Sequence, residues 1–169
     1  MRKFIVSAVA ASVLALSAPA VAAGDMSLKV GAAKVDVTPP AAKLPKNFRG
    51  ILDHVYARAI VIDNGVAKAA LVTLDAGAIP PALWTHVSQR VASTLGIPAT
   101  RLILTATHTH SVPFGGGAID YEDGAVNAVK QALAQLQPAR MAYGTGVSYI
   151  NVNRNIIDPK THRWWEGPN

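Results

Sequence analysis

Apolar and polar positions fall into several readable runs along the chain. Residues Leu28 to Val37 alternate in the manner of a strand, and Thr38-Pro39-Pro40 ends the run because proline removes a ladder donor. Residues Tyr56 to Asp63 and Val66 to Asp75 are two further β-rich runs, and Asn64-Gly65 between them predicts a hairpin turn. The stretch Ala69 to Leu74 is apolar at nearly every position, which predicts a central strand covered on both faces. Pro80 and Pro81 suit the first turn of a helix. Leu83, Val87, Val91 and Leu95 then recur every four residues, and Gly96 supplies a left-handed cap. Leu102 to Thr107 reads as a short buried strand. A glycine-rich loop, Gly115-Gly116-Gly117, separates it from a second helix over about Tyr121 to Leu136, whose inner face carries Val126, Val129, Leu133 and Leu136. Arg140 to Tyr143 and Val147 to Val152 read as further strands. The order predicts a layered α/β domain, a mixed sheet with flanking helices.

The first 23 residues stand apart. Arg2 and Lys3 precede an apolar run from Phe4 to Leu16, and small residues from Ser17 to Ala23 follow. This is the pattern of a cleaved secretory signal, shorter than the ~20 residues of a membrane span. The expected mature chain covers 24–169 and is exported, to the periplasm or the medium.

Half of the 169 residues are apolar and 15% are charged, which excludes an intrinsically disordered chain. The formal charge is +6. From Gly24 onward, 14 Lys and Arg stand against 10 Asp and Glu, leaving +4. The basic residues are scattered without interleaved aromatics, so nucleic acid is not an expected partner. A mild positive balance suits approach to an anionic lipid surface or simply solubility. Cysteine is absent, so any metal site uses His, Asp, Glu, Tyr or backbone oxygens.

The segment with the most chemistry is Thr105-Ala106-Thr107-His108-Thr109-His110-Ser111. On a strand, His108 and His110 point to one side with Cα atoms about 6–7 Å apart. Two such imidazoles can converge on one metal or a metal-bound water, or can simply be solvated. Strand ends in α/β sheets are where sites gather. Asp53, His54, Asp75, His86 and His162 are the remaining candidates. Asp75 either reaches the same sheet edge or caps the following turn, and His86 lies on the outer side of its helix. No nucleophile elbow, P-loop or dinucleotide fingerprint is present.

Five motifs in order carry a resemblance. They are Val30-Gly31-Ala32-Ala33-Lys34-Val35-Asp36-Val37-Thr38-Pro39; Gly50-Ile51 with Tyr56-Ala57-Arg58-Ala59; Leu71-Val72-Thr73-Leu74-Asp75; Thr107-His108-Thr109-His110-Ser111 with Pro113; and Asn151-Val152-Asn153-Arg154. Together they resemble the neutral/alkaline non-lysosomal ceramidase family. The resemblance implies a zinc amidase that cleaves the N-acyl bond of ceramide-like lipids to a fatty acid and a sphingoid base. It implies zinc as cofactor, His108 as a zinc ligand, and His110 beside the zinc-bound water. It further implies that Arg154 holds the substrate's amide oxygen or a neighbouring hydroxyl. Val112 stands where the family has glycine, and Leu52 where many members have His. The family's other ligands, a His, a Glu and a Tyr, lie later in its longer domain. The expectation is therefore an N-terminal, incomplete part of a larger catalytic domain. Alternatives are a zinc hydrolase of another N-acyl amide or ester, and a non-catalytic binding module.

Overall fold

The computed structural model describes residues 28–113, 117–150 and 153–167. The leader and the Gly115-Gly116 pair lie outside them, as do Asn151 and Val152. Two compact units divide at Ala139/Arg140.

The first unit is a sheet backed by two helices. Strands β1 (Lys29–Asp36), β2 (Tyr56–Asp63) and β3 (Lys68–Leu74) run antiparallel in succession. The β2–β3 turn sits where Asn64-Gly65 predicts it, with Gly65 at φ 81° and the Asn64 side chain accepting from Val66 and Ala67. Helix α1 (Pro81–Leu95) leads into β4 (Leu102–Ala106), which pairs parallel to β3. Helix α2 (Tyr121–Ala134) follows, and β5 (Gln137–Pro138) adds a short edge beside β1. The strand order is β4-β3-β2-β1-β5.

Local chemistry sets the helix ends. Pro81 occupies the first turn of α1, and Gly96 at φ 69° closes it, its N–H donating to Ala92. Asp120 caps α2 by accepting from the Asp123 N–H at 3.0 Å, with Glu122 and Asp123 adding favourable charge at the helix start. Among the described residues, no helix is long and apolar enough to cross a membrane.

The core lies on one face of the sheet. Ala57, Ala59, Val61, Ala70, Val72 and Leu74 meet Val87, Val91, Ala125, Ala128, Val129 and Ala132 of the helices. Helix α2 approaches closely enough that a Cβ on Gly31 would stand 1.9 Å from the Ala132 carbonyl oxygen. A Cβ on Gly124 would stand 2.3 Å from the Val37 side chain. The missing side chains let backbone seat against sheet.

Two expectations are corrected here. The β3 strand is not covered on both faces: Leu71 is 41% exposed, and Ile60 and Ile103 beside it are 42% and 60% exposed. The apolar run reflects a packed inner face and an open apolar outer face. The expected strands at 140–143 and 147–152 also do not form. Residues 140–150 have no regular structure, and 151–152 lie outside the described residues. The second unit instead contains a small hairpin of β6 (Asn155–Ile157) and β7 (Trp164–Glu166), in which Ile156 faces Trp165 and Ile157 faces Trp164.

The one-sided core gives a stability prediction. Leu74→Ala should cost about 2–5 kcal/mol, whereas Leu71→Ala should cost about 0.5 kcal/mol. Gly31→Ala should behave as overpacking, costing about 1–3 kcal/mol or more. Urea unfolding of the three variants, followed by far-UV circular dichroism, checks the ranking.

Candidate functional site

The site forms where β3 and β4 end side by side. Beyond Leu74 the chain turns at Asp75, and beyond Ala106 it turns at Thr107, whose N–H donates to the Leu74 carbonyl at 2.9 Å. Asp75 is committed structurally. Its carboxylate accepts from the Tyr56 N–H at 2.9 Å and from the Arg58 guanidinium at 2.8 Å. Its carbonyl accepts from the Tyr121 hydroxyl at 2.6 Å. Burial, with the Asp75 charge nearby, pushes that phenol up to about 12. Of the two roles open to Asp75, the structure favours the turn clamp.

His108 and His110 meet, but not as neighbours on a strand. The β4 strand stops at Ala106, and His108 has a left-handed backbone at φ 61°. The strand-alternation argument is therefore corrected: the kink, not the pleat, turns the rings together. Their Nε2 atoms are 3.5 Å apart, and the rings stand edge to face with centroids 4.8 Å apart. A bulky residue in the left-handed region is held there by its surroundings. Here the hold is visible, since His108 Nδ1 lies 2.5 Å from the Gly77 carbonyl oxygen. A carbonyl only accepts, so Nδ1 carries a proton, and in the neutral ring Nε2 presents its lone pair. A ligating histidine is oriented by a carbonyl in the same manner.

This geometry fits a metal in part. Two imidazole nitrogens on a tetrahedral zinc, each at 2.0–2.1 Å, would lie about 3.4 Å apart. The observed separation suits both nitrogens as ligands, or one as ligand with the other alongside. Among the described residues, no group of three His, Cys, Asp or Glu side chains is placed to hold a metal.

The other candidates lie elsewhere. His86 is on the exposed side of α1, 3.3 Å from Glu122. Glu122 also accepts from Arg90, which reaches Asp123 as well. His162 and Arg154 belong to the second unit. Arg154 precedes β6, and its carbonyl accepts from the Gly167 N–H at 2.8 Å.

His54 is one of the remaining sequence candidates, with no partner named for it. The structure places its Nδ1 2.5 Å from an Asp36 carboxylate oxygen, while the other Asp36 oxygen accepts from the Thr38 N–H at 2.9 Å. Hydrogen bonds from Thr38 and His54 hold Asp36 down at about 2. A cavity of about 420 Å³ opens beside this pair, between the loop after β1 and the residues Thr109, Ser111, Val112, Pro113 and Ile119. Leu44, Phe48, Ile51 and Val112 give it apolar walls, and Asp53, His54, Thr109 and Ser111 add polar groups. The pairing joins residues 18 apart through the β1–β2 register, a spacing that matches no local motif.

The fold and site together define part of an α/β domain with an imidazole pair at the end of its parallel strand. No known family profile matches the chain. The chain is 34% identical over 172 residues to the neutral ceramidase of Pseudomonas aeruginosa, covering 84% of this chain and 25% of that one. Two solved structures share the fold at 27% identity, each covering 68% of this chain and 22% of the other. One is a ceramidase complexed with C2, with a TM-score of 0.57. The other is the neutral ceramidase of Pseudomonas aeruginosa, with a TM-score of 0.55. This chain is a homologue of the neutral ceramidases and spans about a quarter of their length.

Asp36 supplies a pH prediction. Its folded value is lowered, so its contribution is complete above the ordinary value of 3.8 and is lost as pH falls through about 2. A carboxyl carbon NMR titration should show Asp36 protonating last among the aspartates near it. Protonation near 4 would contradict the pairing.

Proposed function

We propose that this chain forms part of a zinc-dependent amidohydrolase that cleaves the N-acyl bond of ceramide-like lipids. The observation that carries the reading is the His108–His110 pair with its Nε2 atoms 3.5 Å apart, set in a chain 34% identical to a neutral ceramidase. His108 would hold the metal through Nε2, fixed by the Gly77 carbonyl. When bound, zinc polarises a carbonyl and lowers the pKa of water to about 7, which suits attack on an unreactive amide. His110 is placed to hydrogen-bond the attacking water or the oxygen that gains charge. Arg154 would hold the amide oxygen or an adjacent hydroxyl.

No group of three metal-capable side chains is found among the described residues, and the chain spans a quarter of its relatives' length. The remaining donors would therefore come from sequence equivalent to the rest of those relatives. The same reading makes the chain exported, after loss of residues 1–23, and places the substrate at a lipid surface. Val112 is buried and lines the cavity. It favours testing other N-acyl amides and esters beside ceramide.

The test is hydrolysis of N-acyl sphingosines, with zinc content, by the longest form of the protein its gene encodes. His108→Ala should abolish zinc retention and lower kcat/KM by at least 10³-fold. His110→Ala should keep zinc and lose about 10²–10³-fold, in the range seen for removing one oxyanion donor. Wild-type hydrolysis in His108→Ala would overturn the reading.

A further inference from the structure

The loop that joins β1 to β2 carries a basic run with an apolar tip. From Lys43 to Leu52 it reads Lys-Leu-Pro-Lys-Asn-Phe-Arg-Gly-Ile-Leu, with cations at every third position from Lys43 to Arg49 and no acid. Lys43, Lys46 and Arg49 are all exposed. None of them enters an ion pair among the described residues. Asp36 and Asp53 stand at the two ends of the loop, and Asp36 is already engaged by His54 and the Thr38 N–H. Ile51 is 40% exposed and Leu52 is 96% exposed. Leu44 and Phe48 are half-buried. A lone exposed leucine is ordinary. An apolar tip flanked by three unpaired cations is the chemistry that meets an anionic lipid layer, where the apolar atoms enter the boundary and the cations stay with the headgroups.

The loop is held in shape before any partner arrives. At its neck the Val37 N–H donates to the Val55 carbonyl at 2.9 Å, and the Val55 N–H donates to the Thr38 hydroxyl at 2.9 Å. Within it, the Lys43 N–H donates to the Pro40 carbonyl at 2.8 Å and the Phe48 N–H to the Pro45 carbonyl at 2.9 Å. A loop fixed in this way loses little freedom on docking. We propose that the loop between β1 and β2 is a lipid-docking element, in which Lys43, Lys46 and Arg49 engage anionic headgroups and Leu52, with Ile51 behind it, enters the apolar boundary. The occupant is the surface of an anionic lipid bilayer. The proposal stands apart from the amidohydrolase reading, because headgroup charge and an apolar tip act whether or not an amide is cleaved. The loop enters β2 at Tyr56, and the β2–β3 turn leaves it after Asp63, roughly 25 Å away along an eight-residue strand. The turn, with Val66 77% exposed, is therefore an internal reference that stays in water when the loop docks.

The experiment measures sedimentation of the exported form of the protein with vesicles of phosphatidylcholine, with and without about one third phosphatidylglycerol. The wild type should bind the anionic vesicles at least 10-fold more tightly than the neutral ones. Replacing Lys43, Lys46 and Arg49 together by Ala should weaken that binding by about 10²-fold, at about 5-fold per cation. Replacing Lys29, Arg101 and Lys130 by Ala removes the same charge elsewhere and should leave binding within about 2-fold, since contributions fall off within a Debye length. Leu52→Ala should cost about 10-fold and keep its cost at about 0.5 M salt, where the cations contribute little. Because the chain has no cysteine, Leu52→Cys and Val66→Cys each take a single environment-sensitive dye. The dye at 52 should shift to the blue on anionic vesicles, and the dye at 66 should not. Circular dichroism establishes that each variant folds, and the two dye-labelled proteins carry the test if the triple variant does not. Four results would overturn the proposal: equal binding to both vesicle types, equal losses in the two triple variants, a dye at 52 that lipid leaves unchanged, or a dye at 52 already shielded from water without lipid, which would mean that protein covers the loop. Hydrolysis is not read in any arm, so a failed amidohydrolase assay leaves these outcomes unaltered.

Discussion

Everything in the first unit depends on how closely α2 can lie on the sheet. A Cβ on Gly31 would collide with the Ala132 carbonyl, and the inner faces of β2 and β3 are mostly Ala and Val. Small residues on the sheet let the helix backbone come down, and the short distance brings Ala125, Ala128, Val129 and Ala132 into full burial. The same seat fixes the start of α2, where the Tyr121 hydroxyl ties to the Asp75 carbonyl at the end of β3. The β3 and β4 ends are then locked together by the Thr107–Leu74 hydrogen bond. His108 is the next residue, and its kinked backbone and fixed ring follow from that lock and the Gly77 carbonyl. A packing constraint some distance from the chemistry therefore orients the imidazole pair.

Much of the architecture was legible because long elements carry periodicity. The four-residue recurrence of Leu83, Val87 and Val91, the first-turn Pro81 and the closing Gly96, and the Asn64-Gly65 turn all mark their elements directly. Short elements gave no such signal: β5 has two residues and β6 and β7 three each, too few for a period to show. Helix α2 ends at Ala134, two residues short of the apolar pattern, a common uncertainty at helix ends. The exposure of the outer sheet face was hidden for a different reason. Leu71, Ile60 and Ile103 are apolar whether or not something covers them, so composition cannot tell an open face from a buried one.

The site was legible in its residues and not in its geometry. His108 and His110 stood out by spacing, and they do come together, but through a left-handed residue that no alternation rule anticipates. The groups that orient them and the neighbouring His54 act through a backbone carbonyl and a long-range carboxylate. Neither leaves a mark in local sequence. The homology to neutral ceramidase, over a quarter of that protein's length, adds the chemical context that two imidazoles alone do not provide.

The central claim is that His108 is the metal-holding member of the pair and His110 its neighbour. Zinc K-edge X-ray absorption on the zinc-loaded protein tests it most directly. The account predicts imidazole scattering at about 2.0–2.1 Å that loses one ring in His108→Ala and is unchanged in His110→Ala. Equal loss in both variants would make the two histidines joint ligands, and no imidazole shell in the wild type would contradict the metal site itself.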